Sequence, residues 1–403
     1  ANLIGLKQTD SRRMLGYSSV AQTALLSAVP AVIQQQELST TYFFIVAGGL
    51  LVNHLLAKAG LFWIAGAATG AAAADAEPTP SGGGGTATAA GTGTTVRRGI
   101  GPIAGVGVTV LGIALVGLPP FPGFWAKWQL VNTLMATERT GLLVLILLGS
   151  LFEAIYIFRW VGRLIARPEE QDAAADAATL TAAGAHAAPA AADSGPGRAL
   201  GQTAAANPVT LRAGAGIGVA IVVVLVGAIG IFTGWYLGLN DRLIAAIFGF
   251  TVAMLFLEWL PSRVKGIIAV AAIGGFAYLV HPRVSGLALV FGALFAAGGI
   301  LAVIASLHRK LPFGTYTFYV LAATGLTGLV IANEPITFFV VWELMTIGSY
   351  LLIARSARHG ARGQGARAQK AAVRYIAFSI GGALLIMVGL VIALQGSLAA
   401  AGG

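Results

Sequence analysis

The chain has 403 residues, of which 57% are hydrophobic and only 10% charged. Soluble domains carry about 25% charged residues, so charges this sparse, at a mean hydropathy of +0.83, exclude a soluble globule and imply an all-α polytopic membrane protein. A cysteine count of 0 excludes disulfides, thiolate-held zinc, iron–sulfur clusters and cysteine nucleophiles, and the net charge of +10 reads as cytoplasmic loop charge rather than as a nucleic-acid surface.

The chain opens at Ala1 on NLIGLKQTDSRR, which is no signal peptide; an upstream segment is expected. Apolar runs near the span length of about 20 residues are predicted at 14–34, 42–68, 102–135, 141–165, 214–238, 242–260, 264–280, 285–307, 315–333, 336–354 and 371–394. That is about eleven transmembrane helices. The run 102–135 is too long for one straight helix and holds GLPPFPGF, where Pro119, Pro120 and Pro122 remove backbone donors. It is predicted as one crossing made of two half-helices, broken at Pro119-Pro120. Residues 70–101 and 166–212, rich in Ala, Gly, Thr and Pro, read as flexible linkers, with His186 a linker residue.

Five acidic or basic positions fall inside spans, where a charge costs at least ~2.5–3.5 kcal/mol and is a functional candidate by default. Lys58 lies deep in its run, and His54 precedes it by four residues, which stacks both on one helical face. Burial penalises the charged form of such groups, so the pair suits proton exchange; the plainer reading is a lysine reaching for the interface. Lys127 follows the proline break, where exposed backbone dipoles and water favour proton exchange; the plainer reading is a lysine near a loop. Glu153 either pairs with Lys127 or Lys58 on another helix or is a protonated structural glutamate. Glu258 lies near a span end, and a structural role is favoured. Glu343, in TFFVVWELMTIGSYLL, has no positive partner within its span, so it is protonated or meets a cation from another helix.

The cluster Arg355, Arg358, Arg362, Arg367, Lys370 and Arg374 holds no acidic residue and is placed in the cytoplasm. Alternation then puts Lys7/Arg12/Arg13, both linkers, Arg263/Lys265 and His308–Lys310 on that side. Glu37, Glu138/Arg139, Asp241/Arg242, His281/Arg283 and Glu334 go opposite. There is no HExxH, GxSxG or Walker A loop, and no candidate redox centre. No cofactor and no metal site are expected, and a self-contained oxidoreductase is disfavoured. GPIAG at 101–105 and GAGIGVA at 214–220 read as helix-packing contacts.

QTDSRR…YSSVAQ, NHLLAKAGLF and GLPPFPGFWAKW resemble successive helices of the antiporter-like proton-channel subunits of respiratory complex I, Mrp-type antiporters and membrane-bound hydrogenases. FFVVWELMTIGSYLLI and KAAVRYIAFSIGGALL resemble an earlier part of the same family. The resemblance implies modules of fourteen helices with two inverted five-helix repeats and a mid-membrane polar axis. It matches Glu343 to the fifth-helix glutamate, Lys58 with His54 to the eleventh-helix pair, and Lys127 to the broken twelfth helix. Glu153 is outside the family pattern. Because back-half motifs come first, residues 1–240 are expected to be the C-terminal half of one module and 241–403 the N-terminal half of a second. The lysines of the seventh and eighth helices have no counterpart here.

The expected function is proton, or Na⁺/H⁺, translocation by a Lys/Glu/His relay of Glu343, Lys58, His54, Lys127 and Glu153. The expected partners are the lipid bilayer and other membrane subunits of a redox or antiporter complex, in a bacterial inner membrane. Two alternatives stand: a stand-alone secondary transporter of a small solute, favoured by broken helices and midplane charges, and a structural membrane subunit.

Overall fold

The computed structural model describes residues 1–34, 40–74, 102–165, 213–237, 242–283, 286–309, 311–356 and 364–401. Of the expected linkers, residues 75–101 and 166–212, with His186, lie outside the described residues, whereas 70–74 continue the helix Gly49–Ala74 and are no linker. Glu37, Asp241, Lys310, Arg358, Arg362 and the expected join at residue 240 also lie outside the described residues.

The described residues are helical throughout, joined by short turns. In order they are α1 (Asn2–Lys7), α2 (Ser11–Gln34), α3 (Thr40–Phe43), α4 (Gly49–Ala74), α5 (Pro102–Val116), α6 (Pro122–Ala136) and α7 (Thr140–Ile165). Then come α8 (Ala213–Tyr236), α9 (Arg242–Phe256), α10 (Ser262–Val280), α11 (Gly286–Ser306), α12 (Thr315–Ile331), α13 (Pro335–Ser356) and α14 (Gln364–Ala401). A π-helical turn, Phe44–Gly48, joins α3 to α4. Asp10 starts α2 by accepting the backbone N–H of Arg12 at 2.7 Å and of Arg13 at 3.1 Å, the standard use of an aspartate before a first turn.

Among the described residues, 8 helices are long and apolar enough to cross a membrane. They include α4, α7, α8, α10, α11, α13 and α14, with α9 extended by a 3₁₀ turn to Trp259. The fold class is thus the all-α polytopic bundle expected. The three other predicted runs are α2, the pair α5/α6 and the 17-residue α12. α5 and α6 have 15 residues each, about 22 Å at 1.5 Å per residue, so neither half alone matches a hydrocarbon core of about 30 Å.

Burial sorts the helices. In α13, 61% of the membrane-length window is buried inside the protein, against 11% in α11. One large core runs from Met14 in α2 to Val391 in α14 and includes Phe124 of α6, Ile157 of α7, and Phe339 and Tyr350 of α13. Helices from both sides of residue 240 therefore share one apolar interior. A smaller core gathers Met254, Ile273, Ala296, Val303, Tyr316 and Val320 from α9 to α12.

Two residues counted as loop charge are placed otherwise. Lys265 is buried in the first turn of α10 and pairs with Glu258 at 2.8 Å. Arg355 is buried at the end of α13 with its guanidinium 5.0 Å from the centre of the Phe318 ring. Apolar packing of the aliphatic stems, with a partner for each charge, lets both leave the loop surface.

Candidate functional site

The break between α5 and α6 is built by sequence. Gly117 adopts a left-handed φ of 79°, which suits a residue without Cβ. Its N–H donates to Ala114 and that of Leu118 donates to Ile113, the paired bonds of a Schellman stop. The Pro119–Pro120 bond is cis, and Pro122 opens α6. A helix end leaves carbonyls without intrahelical donors. Lys127 supplies one: its Nζ donates to Val116 O at 2.8 Å. Asn53 of α4 donates to Ala114 O at 2.7 Å. A buried ammonium thus sits at the negative end of the α5 dipole. A Cβ on Gly117 would lie 3.1 Å from Lys127 Nζ, so this glycine also makes room for the lysine. On the outer side of the turn, Trp125 Nε1 donates to Pro120 O and to Gly230 O of α8.

Glu343 faces Lys127 across a cavity. The cavity holds about 40 Å³ and is lined by both residues together with Ser150 of α7, Phe339 of α13, and Leu384 and Met387 of α14. At about 10–15 Å³ per water, it has room for about three or four waters. Glu343 is 1% exposed, and its Oε2 has no hydrogen-bond partner among the described residues. One turn before it, Phe339 stacks on Phe124 at 5.7 Å, which fixes α13 against α6.

Lys58 lies in α4 on the buried side, while His54, one turn earlier, is half-buried. The lysine Nζ donates to Leu15 O and, at 2.9 Å, to Ser19 Oγ. His54 Nδ1 has no partner among the described residues. Glu153, in α7, accepts from Ser18 Oγ at 2.5 Å and from Gln22 Nε2 at 2.6 Å. Its carboxylate is electrostatically coupled to both Lys58 and Lys127. Neither lysine makes a direct ion pair with it among the described residues. In place of a direct ion pair with either lysine, the two carboxyl oxygens of Glu153 are bound by α2.

All five expected residues fall in one region spanning α4, α6, α7 and α13. Ser18, Ser19 and Gln22 were missed, since hydroxyls and amides in an apolar run carry no charge to draw notice. Glu258 belongs elsewhere. Besides its pair with Lys265, its Oε1 accepts from Thr317 N at 3.0 Å and Thr317 Oγ1 at 3.1 Å. It caps α12, whose own cap, Gly314, has no side chain. Among the described residues, no group of three or more His, Cys, Asp or Glu gathers as metal ligands do.

Residues 1–153 match the family described as NADH:quinone oxidoreductase/Mrp antiporter, transmembrane. The chain is 29% identical over 174 residues to F(420)H(2) dehydrogenase subunit N of Methanosarcina mazei, covering 42% of this chain and 32% of that protein. It is 28% identical over 168 residues to NADH-quinone oxidoreductase subunit N of Desulforudis audaxviator, covering 39% and 28%. NADH-quinone oxidoreductase subunit 14 of Thermus thermophilus is 28% identical over 172 residues, covering 42% and 34%. The chain thus spans about a third of the length of these curated relatives. No solved structure matches the chain. The likeness to antiporter-like and subunit N proteins agrees with the motifs.

Proposed function

We propose that this chain is part of a proton-translocating, or Na⁺/H⁺-exchanging, membrane subunit of a complex-I-like, hydrogenase or Mrp-type assembly. The observation that carries the reading is the shared cavity of Glu343 and Lys127. A buried carboxyl and a buried amine that line one such cavity are two proton-exchanging groups that bridging waters would connect. From Lys127 the field of Glu153 reaches Lys58, and His54 continues along the same face of α4. When one group in such a series changes charge, its neighbours' affinities change with it, so loading and release follow in sequence. In this reading the driving change comes from partner subunits.

The same reading makes residues 1–240 the back half of one module and 241–403 the front half of the next. The Glu343–Lys127 cavity then lies where one module meets another. A bacterial inner membrane is the setting proposed.

The test uses everted membrane vesicles carrying the native full-length protein and an acid-sensitive dye. Lys127→Ala or Lys58→Ala should lower the rate of acidification by about tenfold or more, the scale of losing a positioned proton carrier, with insertion unchanged on immunoblots. Unaltered rates in both variants would overturn the relay.

A further inference from the structure

We infer that α2 is a working wall of the site: Ser18 and Gln22 are positioning residues that hold the Glu153 carboxylate as a counter-charge shared by Lys58 and Lys127. The inference rests on the proton-translocation reading and adds to it a helix and a role for Glu153.

Leu15, Ser18, Ser19 and Gln22 have the spacing i, i+3, i+4, i+7, a single helical face. That face meets two opposite charges side by side. Its Leu15 carbonyl and Ser19 hydroxyl accept from Lys58 Nζ. Its Ser18 hydroxyl and Gln22 amide donate to the two oxygens of Glu153. Acceptors are thus turned toward the ammonium and donors toward the carboxylate, from adjacent residues of one helix. Ser18 is 0% exposed and Glu153 2%, so no bulk water substitutes for these bonds. A donor on each oxygen is the arrangement that suits an accepting carboxylate. The groups in its field are Lys58, Lys127 and, three residues on in α7, Tyr156. Since neither lysine sits in direct ion-pair contact among the described residues, Glu153 acts on both without capturing either. A direct pair would pin one lysine; a carboxylate anchored on α2 stabilises an ammonium at whichever site is loaded.

Infrared difference spectroscopy tests this on the purified full-length protein at one neutral pH. Subtracting the spectrum of Glu153→Gln from that of the unaltered protein should reveal a carboxylate stretch. Revealing instead the carbonyl stretch of a protonated acid would overturn the inference. Ser18→Ala with Gln22→Leu should convert about half or more of that carboxylate band into the protonated one, because the donor on each oxygen is lost. Ser18→Thr, which keeps the hydroxyl, should retain the band. An unchanged carboxylate band in the double variant would also overturn it, whatever the vesicles do. Conversely, full acidification rates in Lys58→Ala and Lys127→Ala vesicles would remove the transport reading while leaving the infrared result intact.

Discussion

Four charged side chains of the site are buried, and three have hydrogen-bond partners that explain how they tolerate it. Lys127 donates to the end of α5, Lys58 to α2, and Glu153 accepts from α2. Glu343 differs: its buried Oε2 is without a partner among the described residues. An unsatisfied buried polar group costs about 1–3 kcal/mol, and such groups in native proteins call for a reason beyond stability. Glu343→Leu should therefore raise stability by about 1–3 kcal/mol while abolishing acidification, measured by denaturant unfolding in micelles and in vesicles. A drop in stability would assign Glu343 a structural task instead. Glu343, Lys58 and Lys127 were legible in the sequence because a charge inside an apolar run is conspicuous. Ser18 and Gln22 were not, because the carboxylate that gives them meaning is 135 and 131 residues away.

At the scale of the helix, the breaks and caps decide where those charges sit. The proline break was readable, since the chemistry of Pro and Gly is local. Its outer brace was not. Gly230 of α8 passes so close that a Cβ would lie 2.3 Å from Pro120 O, and a glycine in an apolar helix does not announce its neighbour. The cap on α12 was not legible either: Glu258 lies near a span end as expected, but the Thr317 N–H it accepts from is 59 residues away in sequence, and its pair with Lys265 is buried. Removing one member of a buried pair leaves an uncompensated charge and costs about 3–5 kcal/mol, whereas an apolar pair of similar volume restores much of that loss. Lys265→Met should accordingly destabilise the protein by about 3–5 kcal/mol, and Glu258→Leu added to it should recover a large part. The loss of the Thr317 contacts keeps the recovery incomplete. Unfolding midpoints of the two variants, compared under one detergent condition, check the sign.

Among the described residues, helices before and after the expected join at residue 240 share one large core. Hydropathy is a local property and marks each helix; which helices adjoin depends on side chains far apart in sequence. Tyr350 of α13 donates to Phe158 O of α7 at 2.6 Å across 192 residues, and Phe124 stacks on Phe339 beside the cavity. If the two segments form one folding unit, replacements on either side of this seam must be coupled. Aromatic pairs contribute ~0.5–1.5 kcal/mol beyond area burial, and contacting residues depart from additivity by similar amounts. Phe124→Leu and Phe339→Leu should each lower stability. Their double variant should cost less than the two together by about 0.5–1.5 kcal/mol. Additive losses would mean that α6 and α13 fold without reference to each other, and the cavity shared by Lys127 and Glu343 would then have no fixed geometry on which a proton relay could depend.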